Sequence, residues 1–258
     1  MKLELRPDVA VGYKSASQRA RVLTETWVLD NLYCPACPCD TLSQAPKGEK
    51  VIDFTCSECD EPYQLKSHRH PFGNRVVNSA YQPKVDAISK GTIPNFVFLQ
   101  YNPMMWKVQN IFVVPKHFIS LSMIEERKPL RESARRSGWI GSNILLGNLP
   151  ADARIPIVEN GHKISKTTVR NSWSRFLFLR EQSARFRGWL ADVLACVRKL
   201  DRETFTLAEL YAFEDHLARL HPENKNIRPK IRQQLQILRD NGIVEFLGKG
   251  NYRISRSY

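Results

Sequence analysis

A chain of 258 residues is long enough for one large cored domain or two smaller ones. Its 39 Lys and Arg outnumber 26 acids, for a formal charge of +13 and a pI near 9.6, so a polyanion, nucleic acid first, is the expected partner. Residues 1–10 hold no apolar signal region and no apolar run approaches the ~18 residues of a membrane span, which argues against secreted and membrane classes and for a cytoplasmic protein.

In chain order, Ser15 to Leu32 has helical spacing, with Ser17 as N-cap and Ala20, Leu23, Trp27 and Val28 on one face. Four cysteines follow in two C-x2-C knuckles, Cys34/Cys37 and Cys56/Cys59. Each knuckle offers two thiolates from one tight turn, so the set suits tetrahedral Zn²⁺ and a reducing compartment. Cys39 lies close enough to compete with Cys37, and Cys196 sits on an apolar helical stripe as a core residue. Val51–Phe54 and Tyr63–Lys66 read as strands flanking the second knuckle. Pro71–Asn74 is a loop, and Ser79–Ser89 a helix interrupted near Pro83. The β-rich runs Asn95–Tyr101 and Asn110–Pro115 suit central strands covered on both faces. Arg127–Asn143 is basic and irregular. Ile155–Val158 with Asn160-Gly161 marks a hairpin, and the first domain closes near Leu177–Arg180.

Ser183–Arg187 reads as a joint, with a new helical pattern from Gly188 that carries Trp189, Val193, Cys196 and Val197 on one stripe. A second helix starts at Thr206, where Thr206 and Glu209 form a capping box, and buries Leu207, Leu210, Leu217 and Leu220. A third runs from Ile227 to Asn241, stopping at Gly242. Ile231, Leu235 and Leu238 face inward there, with Arg232, Gln233 and Gln236 opposite. Strands Ile243–Leu247 and Tyr252–Ile254 complete the parts of a winged helix-turn-helix.

Three constellations carry chemistry. Asp53 before the second knuckle, with Gln64 and Lys66 after it, matches the Asp…(Asp/Glu/Gln)-x-Lys pattern of metal-dependent nucleases. Residues two apart on a strand share a face, so the carboxylate and amide oxygens suit Mg²⁺ and the lysine can stabilise a pentavalent phosphate. Ordinary solvated hairpin residues would give the same short pattern. Glu25 could add a carboxylate, and His68 and His70 could touch phosphate. On the winged helix, Arg232, Gln233 and Gln236 present groups that read A and G edges, while Lys249 and Arg253 meet phosphates; protein contacts are the alternative use. Arg135 and Arg136 beside Trp139 suit a loop that grips phosphate and offers a ring to a base; the alternative is a Trp139 that plugs the core.

The chain resembles the DpnI-like methyl-directed restriction endonucleases along nearly its whole length. The likeness runs through Tyr13-Lys14-Ser15, Leu23-Thr24-Glu25, Tyr33-Cys34-Pro35 with Cys37, and Leu65-Lys66-Ser67. It continues through Pro94-Asn95-Phe96, Arg127-Lys128-Pro129-Leu130, Gly138-Trp139-Ile140-Gly141 and the stretch Lys230 to Asp240. The resemblance implies an α/β nuclease domain at 1–182, PD-(D/E)xK-like with a mixed sheet and an inserted zinc site. It implies a winged helix-turn-helix DNA-binding domain at 183–258. It further implies Mg²⁺-dependent cutting of double-stranded DNA at GATC carrying N6-methyladenine, with Mg²⁺ at Asp53, Gln64 and Leu65, Lys66 as catalytic lysine, and Zn²⁺ on Cys34, Cys37, Cys56 and Cys59. A monomer is expected. Gln64 departs from the family's acid, which leaves two rivals: a methyl-DNA-binding regulator without cleavage, and a zinc-ribbon and winged-helix transcription factor.

Overall fold

A computed structural model describes residues 1–46 and 51–255. In the first part, α1 (Ala16–Asn31) leads through the cysteine knuckles to β1 (Ser43–Gln44), β2 (Phe54–Thr55) and β3 (Pro62–His68). Next come β4 (Arg75–Ala80), α2 (Tyr81–Ser89), β5 (Asn95–Asn102), β6 (Lys107–Val114), β7 (Ile124–Glu126) and β8 (Gly141–Leu145). Then β9 (Ile155–Glu159), β10 (His162–Lys163) and α3 (Lys166–Ser174) complete it. The order β1-β2-β3-β5-β6-β9-β10 forms a mixed sheet in which only β3 and β5 run parallel, and β4-β8-β7 forms a second, smaller sheet.

Strand alternation divides the core. Val97 and Leu99 of β5 and Ile111 and Val113 of β6 face the α1 residues Leu23, Trp27 and Val28, together with Cys34 and Cys56. Phe96 and Phe98 face the other way, onto Ile88 of α2 and Ile124 and Ile144 of the smaller sheet. Both central strands are therefore covered on two faces, as their continuous apolar runs predict.

The second part holds α4 (Ala184–Lys199), β11 (Thr204–Thr206), α5 (Leu207–Tyr211), α6 (Glu214–Leu220), α7 (Ile227–Asp240), β12 (Val244–Gly248) and β13 (Asn251–Ile254). It is a helix-turn-helix unit with a three-stranded wing in the order β11-β13-β12. The apolar cluster that includes Phe96 and Ile88 continues without a break through Trp189, Val193 and Val197 of α4 to Leu210, Leu217 and Leu235. Polar bonds reinforce that joint. Ser122 Oγ donates to Asp192 Oδ1 at 2.9 Å, and Asp192 Oδ2 lies 2.9 Å from His221 Nε2, whose ring stacks on Trp189 at 3.8 Å.

Several boundaries differ from the sequence reading. Ser15, not Ser17, is the N-cap of α1; its side chain makes no capping bond and meets Ser17 Oγ at 2.9 Å. α2 is unbroken at Pro83, because the proline falls in the first turn, where its missing N–H has no intrahelical acceptor to lose. α4 starts at Ala184, four residues before Gly188, because the Ser183 side chain caps it by accepting from the Phe186 N–H. The capping box at Thr206 and Glu209 forms with both bonds made, but the second helix breaks at Ala212–Phe213 into α5 and α6. Of the stretch Arg127–Asn143 expected to be irregular, residues 127–140 are so, but Gly141–Asn143 belong to β8, where pairing with β4 and β7 makes them strand.

Candidate active site and zinc centre

The two knuckles close on each other. The sulfurs of Cys34, Cys37, Cys56 and Cys59 all lie within 4.8 Å of one another, with Cys34–Cys59 at 3.7 Å and Cys37–Cys56 at 3.5 Å. A tetrahedron with Zn–S near 2.3 Å requires S···S of about 3.8 Å, so the donor set fits zinc in kind and in spacing. Cys39 stands apart: its thiol donates to the Thr41 carbonyl at 3.2 Å, so Cys37 is the member of this cluster. Cys196 is fully buried on α4, as its apolar surroundings predict.

The same loop sets Asp53 beside β3. The Asp53 N–H donates to the Tyr63 carbonyl at 2.9 Å, and Tyr63 in turn places its hydroxyl 3.2 Å from Cys34 Sγ. Asp53 Oδ2 accepts from the Leu65 N–H at 2.8 Å, which orients the carboxylate against the edge of β3. In an extended strand the N–H and C=O of one residue point to the same edge, so the Leu65 carbonyl also faces Asp53. Asp53 and Glu25 of α1 line one cleft of about 620 Å³. Burial pushes the Glu25 carboxyl up; Arg21, bonded to it at 2.9 Å, pulls it back, and the negative Asp53 pushes it further up.

Gln64 and Lys66 share the opposite face of β3 from Tyr63, above the rings of Phe96 and Phe98 in the parallel register. Gln64 is buried, and its Oε1 accepts from Lys84 Nζ at 2.8 Å. Lys84 was not singled out by the sequence reading. It lies on α2, has 0% of its surface exposed, and rests its ammonium 5.2 Å from the Phe96 ring. Burial pulls Lys66 down to about 8, against the attraction of Asp53. Lys84 also falls to about 8, through burial first and repulsion from Lys66 second, with Asp53 again opposing. The buried pair Gln64 and Lys84 and the half-buried Asp53 and Lys66 thus form one polar cluster, joined by the Gln64–Lys84 bond and by the charge of Asp53 on both lysines, with Glu25 electrostatically coupled to Asp53. Nothing local in the sequence marks Lys84, because a lysine in an amphipathic helix looks like a surface residue.

The remaining predicted residues fall in three places, the loop before β8, the winged helix and the turn after β3. Arg135 and Arg136 are exposed in the loop before β8, with the Arg136 guanidinium 5.4 Å from the half-buried Trp139 ring. That ring lies on the backbone of Gly141, where a Cβ would stand 2.8 Å from it, so a side chain at 141 would displace the indole. Arg232, Gln233 and Gln236 form the exposed face of α7; Arg232 donates to the Tyr211 hydroxyl at 2.7 Å, and Gln233 accepts from Lys230 at 2.7 Å. Lys249 occupies the wing turn with φ 49°, and Arg253 on β13 reaches Glu245 at 3.3 Å. His68 and His70 sit together in an exposed turn, His68 Nδ1 lying 2.9 Å from the His70 carbonyl.

The family model DpnI, described as the Dam-replacing family, matches residues 1–182, and DpnI_C, described as the Dam-replacing HTH domain, matches residues 185–254. The chain belongs to the Dam-replacing family. Membership supports a methylation-dependent restriction endonuclease whose helix-turn-helix part binds DNA. Among the described residues no helix is long and apolar enough to cross a membrane.

Proposed function

We propose that this member of the Dam-replacing family is a type II endonuclease that hydrolyses both strands of double-stranded DNA at G-(N6-methyl-A)-T-C, with its nuclease domain at 1–182 and its winged helix at 183–258. The observation that carries the reading is the meeting of Asp53, the Leu65 edge, Gln64 and Lys66 in one cluster, within a chain of this family. Asp53, the Leu65 carbonyl and Gln64 are oxygen donors of the kind a hard cation takes, so they fit Mg²⁺ and would hold it. When bound, Mg²⁺ supplies Lewis-acid polarisation of the phosphate and a water of lowered pKa.

The chain's own groups do the rest. The Leu65 N–H holds the Asp53 carboxylate in one orientation. Lys66, near 8, remains mostly protonated at neutral pH and stabilises the charge that develops as water displaces the 3′ oxygen. The four cysteines would hold Zn²⁺ and so brace the loop between Asp53 and Lys66, since Tyr63 links that loop to Cys34. Arg232, Gln233 and Gln236 read base edges, Lys249 and Arg253 meet phosphates, and Arg135 and Arg136 flank Trp139, which lies against the methylated base edge. Trp139→Ala then lowers the preference for methylated over unmethylated DNA; unchanged discrimination removes Trp139 from that role.

A second reading is favoured by one contact. Lys84 occupies a lone pair of Gln64, and two ammonium groups surround the site where the family pattern has an acid. That charge balance weakens cation binding, and a methyl-DNA-binding regulator would follow. One assay separates the two: methylated and unmethylated plasmid, with and without Mg²⁺, wild type beside Asp53→Ala. The endonuclease cuts only methylated plasmid with Mg²⁺, and Asp53→Ala binds without cutting. Binding without cutting by the wild type under every condition would sink the endonuclease.

A further inference from the structure

A second basic cluster lies where the sheet meets the helical part. Lys116 and His117 follow β6, Arg180 closes the turn after Leu177–Leu179, and Arg187 stands in the first turns of α4. These four line a cavity of about 170 Å³, with Glu181 at its wall. His117 is 3% exposed and Arg187 8%. Each carries an orphan nitrogen: His117 Nε2 and Arg187 Nε are buried with no hydrogen-bond partner among the described residues. Buried polar atoms are rarely left so, and each such orphan in a native fold calls for an explanation.

The charges nearby do not supply one. Glu61, also buried, binds Lys116 Nζ and Arg180 Nη2 at 3.0 Å each and accepts from Asn95 Nδ2 at 2.8 Å. Its two oxygens are therefore engaged by two of the three cations. Arg187 forms no ion pair among the described residues, and Glu181 at the wall does not reach it within 4 Å. His117 responds first to its burial and then to the positive charge around it. Burial, then Arg187, Lys116 and Arg180 in that order, push its ring down to about 3, so it is neutral at pH 7 and one ring N–H is available to donate.

We propose that this cavity is an oxyanion site at the joint, taking one phosphate-class group on Arg187 with Lys116, Arg180 and His117 around it. A guanidinium presents a planar fork of donors that matches phosphate oxygens, and a buried unpaired guanidinium is the residue such a ligand relieves. At ~30 Å³ per water, the volume has room for a tetrahedral oxyanion and a few waters. The ligand contacts the nuclease part through Lys116 and His117 and the helical part through Arg187, so occupancy ties one to the other. The chemistry has two sources, free inorganic phosphate or an internucleotide phosphate of bound DNA. The site does not depend on cleavage at Asp53.

The test uses the full zinc-loaded chain. Inorganic phosphate is titrated by calorimetry, and the melting temperature is followed in phosphate against chloride at equal ionic strength. In parallel, the salt dependence of binding to a methylated duplex is measured in chloride. Wild type should bind phosphate saturably and melt several degrees higher in it. Arg187→Gln should weaken phosphate by about tenfold or more, and Arg180→Gln, at a half-exposed position, should weaken it less. If the source is DNA, Arg187→Gln lowers the salt slope by about one, and free phosphate competes with the duplex. Wild-type protein that neither binds phosphate saturably nor loses DNA affinity to it overturns the proposal, whether or not the variants fold. Variants that fold and behave as wild type in both arms overturn it equally.

Discussion

Lys84→Met probes the charge stored under the candidate active site. The ammonium of Lys84 is fully buried, and its ordinary value of 10.5 falls to about 8. That shift corresponds to ~3 kcal/mol of charging cost in the folded state. Below pH ~8 both the folded and unfolded chains carry the proton, and the full cost is present. Between pH ~8 and ~10.5 the folded chain releases it while the unfolded chain keeps it, so the unfolded state binds more protons and stability rises with pH. The variant has no such group and loses that share of the rise. It also strands Gln64 Oε1, which costs ~1–3 kcal/mol at every pH and leaves the slope untouched. Near pH 7 the two effects nearly cancel, so Lys84→Met should lie within ~2 kcal/mol of wild type although it deletes a buried bond. By pH ~10.5 the variant should have fallen ~3 kcal/mol relative to wild type. Urea unfolding of zinc-loaded protein across that range measures it. Parallel stability curves for the two proteins would refute the claim that the buried ammonium is charged at the expense of the fold.

Three further outcomes follow from the same geometry. Cys34→Ser should lose the bound zinc and several degrees of thermal stability by metal analysis and calorimetry, while Cys39→Ala should keep one zinc per chain, since its thiol bonds to Thr41 instead. Gln64→Glu should pair with Lys84, raise the Lys84 ammonium back toward its ordinary value, and lower the Mg²⁺ concentration for half-maximal cutting several-fold; an unchanged Mg²⁺ titration would remove residue 64 from the metal site. On the winged helix, Arg232→Ala should cost about 1–3 kcal/mol and relax specificity, whereas Lys249→Ala should weaken all duplexes alike and reduce the salt slope by about one. Filter or fluorescence binding to matched and mismatched sites separates these two behaviours.

What could be read in advance was local in sequence. The two C-x2-C knuckles, the Thr206–Glu209 capping box and the apolar runs of β5 and β6 each state their structure within a few residues. The closeness of Asp53 to β3 was legible because the cysteine loop between them is short enough to form one hairpin-like unit. The smaller sheet was largely missed. β4 is half-exposed and pairs with β8 from across the whole stretch between Ala80 and Gly141, while β7 has only 3 residues and meets β8 beyond the irregular basic loop, so no short window contains the pattern. The wing's third strand, β11, escaped for the same reason: only its pairing with β13 makes it a strand.

By itself the sequence determined the polyanion partner, the cysteine donors, the strand face that carries Gln64 and Lys66, and the helical face that carries Arg232, Gln233 and Gln236. Charge, ligand type and periodicity are properties of the chain before it folds. Only the tertiary structure decided that Lys84 lies against Gln64 and that Arg187 and His117 share a cavity with Lys116 and Arg180. It also decided that Trp139 rests on Gly141. Each of these joins elements far apart along the chain, and burial, which gives the groups their unusual proton affinities and unmet hydrogen bonds, comes into being only when those elements pack.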